Sequence, residues 1–160
     1  AIGRVMNTNF YGSLYITKTI LPSLLDRPEA YIVNGSSMGG ILPVPGQGIY
    51  GASKAAMKLM SESLYAELLD TTVHVSTVFP GTTKTNIAND IKLATTAASQ
   101  SPETAMLSPD KAAEIINRKN KKNQPLIYTG KDSTLLSRAY RFNPVFATKL
   151  IAKQMRSLLK

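Results

Sequence analysis

The chain has 160 residues, enough for one globular domain with its own core, and it contains no cysteine and a single histidine. Disulfides and thiolate metal sites are therefore excluded, and His74, with no cluster of carboxylates around it, argues against a zinc or di-metal centre. No apolar run nears the roughly 20 residues a membrane-spanning helix needs, and the formal charge of +9 sits at one end: residues 1 to 110 hold 7 Lys+Arg against 8 Asp+Glu, and residues 111 to 160 hold 12 against 2.

The sequence opens on Ala1-Ile2-Gly3-Arg4, without an initiator Met or a signal-peptide pattern, and reads as a chain entered partway. Residues 5 to 25 predict a helix, with Met6, Phe10, Leu14, Leu21 and Leu25 on one face; Pro22 falls inside it and Pro28 stops it. Ala30-Tyr31-Ile32-Val33 is a short strand that ends in Asn34-Gly35-Ser36-Ser37, and Met38 to Gly48, with its glycines and prolines, is loop. A second helix runs from Ile49 to Leu69, with Ala52, Ala55, Ala56, Leu59, Met60, Ser63, Leu64 and Leu68 along one broad face. Val73 to Phe79 is a strand closed by Pro80-Gly81. Residues 82 to 108 read as a loop with one short helix. Ser108-Pro109-Asp110 carries the signature of a helix start, with Ser108 at the cap and Pro109 in the first position. A strand from Pro125 to Thr129 and a helical segment broken at Asn143-Pro144 complete the chain. Strands alternating with helices of crossover length predict an α/β fold with a parallel sheet covered on both faces.

The chemistry gathers between Asn34 and Lys54. Tyr50 and Lys54 are four residues apart at the start of a helix and project from one face. Such a pair arises often by accident. Here it stands within Tyr50-Gly51-Ala52-Ser53-Lys54, and Ser37 lies thirteen residues before Tyr50 at the end of the preceding strand. Ser36 is a near-equal neighbour, and only the spacing selects Ser37.

These residues resemble the signature of the classical short-chain dehydrogenase/reductases, in which a serine after the fifth strand precedes Tyr-x-x-x-Lys by about thirteen residues. Two further stretches match in order. Val5-Met6-Asn7-Thr8-Asn9-Phe10-Tyr11-Gly12 is similar to the family's fourth helix, with Asn9 in the place of its asparagine. Pro80-Gly81-Thr82-Thr83-Lys84-Thr85 is similar to the Pro-Gly-x-x-x-Thr stretch that faces the nicotinamide. The resemblance covers residues 5 to 90 closely and continues more loosely to Leu126–Thr129. It implies a Rossmann-like doubly wound parallel sheet, here partial, and an NAD- or NADP-dependent oxidoreductase acting on a carbonyl/alcohol substrate.

It also implies roles. Asn9, Ser37, Tyr50 and Lys54 would be catalytic, and Tyr50, Lys54, Pro80, Gly81, Thr83 and Thr85 would line the cofactor. Tyrosine, with a pKa of about 10, carries protons poorly at neutrality. An ammonium about 4 Å away, at an effective dielectric of about 20, favours the phenolate by about 4 kcal/mol, or roughly three pKa units. Lys54 could supply that field and bind the nicotinamide ribose. Ser37 would hydrogen-bond the substrate carbonyl. Asn9 would anchor a water in a proton relay to Lys54. Taken singly, Asn9 and Thr83 are also ordinary helix and loop residues, His74 reads as structural or exposed, and Met57 and Met60 as core filler.

The family's Gly-rich turn and its Asn-Asn-Ala-Gly stretch do not occur in the sequence. The strand at Tyr31–Val33 is accordingly expected to present an open edge, the chain by itself to bind cofactor poorly, and NAD and NADP to be indistinguishable. Residues 1 to 132 read as the partial catalytic domain. Residues 133 to 160 read as a basic amphipathic helical tail packed on that domain or on a partner, with peripheral membrane contact the lesser reading and no nucleic-acid motif. The family further implies a homo-oligomer built on the Ile49–Leu69 helix. A cytoplasmic setting is expected. The alternative is a non-catalytic module of this fold that works through its tail, on lipid or on protein. The resemblance implies that substrate choice falls to the loop from Asn86 to Leu107, whose polar, small residues name no ligand.

Overall fold

The β-branched runs at Ala30 and Val73 become the strands that organise everything else. In the computed structural model, which describes residues 1–84 and 106–155, β1 (Ala30–Gly35), β2 (Val73–Pro80) and β3 (Leu126–Thr129) form a parallel sheet in the order β1-β2-β3. Ala30 lies opposite Val73 and Gly35 opposite Val78; Thr77 lies opposite Leu126 and Pro80 opposite Thr129. All three strands thus end at one edge of the sheet. The doubly wound architecture expected from the sequence is present in partial form.

The helices are α1 (Ile2–Met6), α2 (Gly12–Leu25), α3 (Gly48–Glu67), α4 (Pro109–Asn120), α5 (Lys131–Phe142) and α6 (Pro144–Met155). Every second residue of β1 and β2 turns to one face, where Ala30, Ile32, Val73 and Val75 pack with Leu68 against Leu21 and Leu24 of α2 and Leu64 and Tyr65 of α3. Ser76, one residue out of phase with that set, is held by Asn120 and Gln124 at the end of α4, on the other face. Among the described residues β1 is an edge strand, and Tyr31 and Val33 on its outward face are exposed.

Two expected elements take a different form. The helix expected over residues 5 to 25 is interrupted by a π-helical turn, Asn7–Tyr11, in which the Gly12 amide reaches back to the Asn7 carbonyl. One extra residue in the turn advances every later side chain by about 100°, so the stripe from Met6 to Leu25 does not stay on one face. Leu21 and Leu24 reach the core, and Leu25 is exposed. In α3 the buried line is Ser53, Met57 and Ser61, whereas Leu59 of the expected face is 65% exposed. The two serines are tolerated there because their hydroxyls donate to carbonyls one turn back, Ser53 to Tyr50 and Ser61 to Met57. Their small size lets α3 lie close to the sheet, where the Asn34 amide donates to Ser61 Oγ at 2.9 Å. The expected cap at Ser108 is present: its Oγ accepts from the Lys111 amide at 3.3 Å, and Pro109 opens α4.

Candidate active site

Of the residues singled out in the sequence, Ser37, Tyr50, Lys54, Pro80, Gly81 and Thr83 gather at the edge where the strands end, the edge at which open α/β sheets bind their ligands. Ser36 and Ser37 leave β1 on opposite sides. Ser36 is buried, and its hydroxyl donates to the Lys54 carbonyl at 2.8 Å. Ser37 is only partly buried and caps the short 3-10 turn Met38–Gly40, its Oγ accepting from the Gly39 amide at 3.1 Å. That bond uses a lone pair and leaves the hydroxyl proton of Ser37 available.

Tyr50 lies in the first turn of α3 and is 37% exposed. A Cβ on Gly39 would stand 3.3 Å from Tyr50 Cε1 and 3.7 Å from Ser37 Oγ, so the phenol ring and the serine hydroxyl flank the same bare backbone position. Gly40 is required for another reason: a Cβ there would meet the Lys54 carbonyl carbon at 2.7 Å and Ser36 Oγ at 2.8 Å. The loop between β1 and α3 is pressed against the helix at the point that carries Lys54.

Lys54 is half-buried. Its Nζ donates to the Gly35 carbonyl at 3.1 Å, and burial lowers its pKa below the ordinary lysine value. One of three ammonium donors is used, and two remain. Asn9 sits in the π-helical turn, and its side chain donates to Ser53 Oγ at 3.1 Å, which in turn donates to the Tyr50 carbonyl at 2.7 Å. Asn9 is therefore joined to the turn that bears Tyr50 through Ser53, a residue without a role in the sequence reading. The π turn is the local distortion that often marks functional positions.

Pro80 closes β2, and the Gly81 amide donates to the Thr129 carbonyl at 2.8 Å. Thr83 donates its hydroxyl to the Gly81 carbonyl at 3.0 Å, and its backbone bridges to Leu107. Thr85 lies outside the described residues, as do residues 86 to 105 of the expected substrate loop. The loop has a fastening that sequence reasoning missed: the Thr82 amide donates to Asp132 Oδ2 at 2.7 Å. Asp132 stands in the first turn of α5, where a carboxylate is also favoured by the helix dipole. A Cβ on Gly81 would collide with Asp132 Oδ1 and stand 2.5 Å from the Thr129 carbonyl oxygen, so only glycine admits this approach. An acid in a first helical turn predicts favourable placement and nothing about a loop fifty residues earlier.

His74 lies at the opposite end of β2, beside Glu29 and the Tyr31 ring, in keeping with a structural or exposed residue. A cavity of about 160 Å³ bordered by Tyr65, Leu68 and His74 opens at that far end and takes no part in the site. Among the described residues no group of histidines and carboxylates could hold a metal ion.

A family model described as short chain dehydrogenase matches residues 1–96. The chain belongs to the short-chain dehydrogenase family. It is 36% identical over 116 residues to the Dehydrogenase/reductase SDR family protein 7-like of Drosophila melanogaster, an alignment covering 71% of this chain and 36% of that protein. The structure of a short chain dehydrogenase from Burkholderia cenocepacia in complex with NADP superimposes with a TM-score of 0.79 at 20% identity, over 94% of this chain and 59% of that one. A short chain dehydrogenase/reductase from Burkholderia phymatum in complex with NAD does so with a TM-score of 0.75 at 22% identity, over 88% of this chain and 57% of that one. The chain thus spans little more than a third of the curated relative and under two thirds of either structure.

Proposed function

We propose that this chain is the catalytic side of an NAD(P)-dependent oxidoreductase that interconverts a ketone and a secondary alcohol. The observation that carries the reading is that the Tyr50 ring and the Ser37 hydroxyl flank Gly39, with Lys54 one helical turn along and half-buried. Ser37 keeps a proton with which to hold a carbonyl oxygen as it gains negative charge. Tyr50 is the acid for reduction and the base for oxidation, and the Lys54 ammonium favours its phenolate.

A nicotinamide dinucleotide would supply the hydride. The residues present fit such a group: Lys54 has two donors free for ribose hydroxyls, and the loop from Pro80 to Thr83 is held at the sheet edge by Thr129 and Asp132. Thr83, and Thr85 beyond it, would contact the carboxamide or phosphates. That solved relatives of the same fold carry NADP in one case and NAD in another supports the cofactor class without choosing between them. Asn9 holds the Tyr50 turn through Ser53 in this reading, and the water relay to Lys54 implied by the family remains part of it. A homo-oligomer built on α3 also belongs to the reading, supported by the exposed Leu59 on that helix.

The test is Tyr50→Phe in the protein at its natural length, followed by NAD(P)H consumption across a panel of ketones. Turnover should fall by about a hundred-fold or more, the ordinary contribution of a positioned acid, while cofactor affinity holds. Turnover at the parent rate would remove Tyr50 from the mechanism.

A further inference from the structure

The last two helices are built inside out. α5 buries Ser133, whose Oγ donates to the Thr129 carbonyl at 3.1 Å, and Ser137, and α6, packed against α5, buries Ala147. Toward solvent stand the large apolar side chains: Leu135, Val145, Phe146 and Leu150 are exposed, and Phe142, at the end of α5, is 94% exposed. The sequence expectation for this segment is packing on the domain or on a partner, and among the described residues these side chains are open to either a partner or solvent. The geometry that leaves these residues outside is local. Pro144 cannot continue α5, Asn143 takes an extended backbone, and its Oδ1 caps the next helix by accepting from the Phe146 amide at 2.9 Å. The resulting hairpin puts Phe142 and Phe146 on either side of its turn.

Cations share this surface. Leu135, Arg138 and Phe142 follow one another at steps of three and four along α5, and Phe146, Lys149 and Lys153 do so along α6. Arg138, Arg141, Lys149 and Lys153 are all exposed, and residues 133 to 160 contain no Asp or Glu. Two copies brought together through this face would set these cations against each other, which disfavours a second copy as the occupant. A partner that accepts apolar side chains and supplies negative charge suits it on both counts.

We propose that the outer face of α5 and α6 docks on the surface of an anionic lipid bilayer, with Phe142 and Phe146 entering the headgroup boundary and the four cations meeting lipid phosphates. Long Lys and Arg side chains can lie along an apolar surface while their charged ends reach headgroups, and aromatic residues at such a boundary are favourable. The contact is peripheral: among the described residues no helix is long and apolar enough to cross a membrane. It adds a place of work to the oxidoreductase and does not replace it.

The test is co-sedimentation of the protein at its natural length with vesicles of phosphatidylcholine alone and of phosphatidylcholine containing phosphatidylserine. Binding should require phosphatidylserine and weaken with salt. Replacing Arg138, Arg141, Lys149 and Lys153 by Gln should lower partitioning by about five-fold per charge, and Phe142→Ser with Phe146→Ser by about ten-fold or more. The circular dichroism spectrum and the rate of NAD(P)H consumption in vesicle-free buffer should stay at parent values, which separates this proposal from the catalytic one. Absence of binding to phosphatidylserine vesicles, or binding untouched by either variant, would overturn it. So would a shift from oligomer to monomer in the phenylalanine variant without loss of vesicle binding, because the face would then belong to a second copy.

Discussion

Ser53 offers a sharp test of how the π-helical turn is coupled to α3, the helix that bears Tyr50. It is 0% exposed, accepts from the Asn9 amide at 3.1 Å and donates to the Tyr50 carbonyl at 2.7 Å. Ser53→Ala removes both bonds, but they differ in weight. The Tyr50 carbonyl lies within α3 and keeps its place in the helical ladder, so little is lost there. The Asn9 amide loses its protein acceptor, and because Asn9 is only partly buried, water recovers part of that loss. A net hydrogen bond is worth about 0.5–1.5 kcal/mol and an orphaned donor about 1–3, so the expected destabilisation is about 1–2 kcal/mol. Asn9→Ala removes the same shared bond and should cost about 1 kcal/mol. The double variant cannot lose that bond twice. Urea unfolding of the parent, both single variants and the double variant should therefore show the single losses summing to about 1 kcal/mol more than the double. Additivity within about 0.3–0.5 kcal/mol would refute the view that this hydrogen bond joins the π turn to the Tyr50 helix.

Two more predictions concern the remaining anchors. Asp132→Ala leaves the Thr82 amide without its acceptor; because Asp132 is exposed, the loss should be about 1 kcal/mol, read as about five-fold faster hydrogen exchange at the Thr82 amide, and unchanged exchange there would disprove the clamp. Lys54 has a folded-state pKa lowered by burial, so between that value and its ordinary 10.5 the unfolded chain binds more protons and stability rises with pH. The cost of burying the charge is fully present below the folded pKa and is relieved as pH climbs through 10.5. Lys54→Met removes this group, so the stability advantage of the variant over the parent should shrink across that alkaline window. An advantage that stays constant with pH would show that burial does not perturb Lys54.

Much of the site was legible because it is local. Tyr50 and Lys54 share a helix face by spacing alone, and Ser37 comes to the same glycine as the Tyr50 ring, Gly39, through one strand end and one loop. Ser108 and Pro109 start α4 by capping chemistry confined to four residues. What escaped was set by contacts distant in sequence. The spacing selects Ser37 over Ser36, but that Ser36 is buried with its hydroxyl on the Lys54 carbonyl depends on how α3 lies on the sheet. The burial of Ser53 and Ser61 in place of an alanine and leucine stripe depends on how closely α3 approaches β1, a distance that hydroxyl-satisfied serines permit and periodicity does not report.

The amino-acid sequence by itself determined the alternation of strands and helices, the near-neutral charge of residues 1 to 110, the acid-free basic tail and the grouping of Ser37, Tyr50 and Lys54 by their spacing. Tertiary structure alone decided that the Asn9 side chain reaches the Tyr50 turn through Ser53, that Asp132 holds a loop fifty residues earlier, and that α5 and α6 turn their phenylalanines outward. The physical reason is the range of the interactions. Helical period, caps and turn residues act over about four residues. A hydrogen bond between distant segments, or the exposure of a side chain, exists only once the sheet has brought its surroundings together.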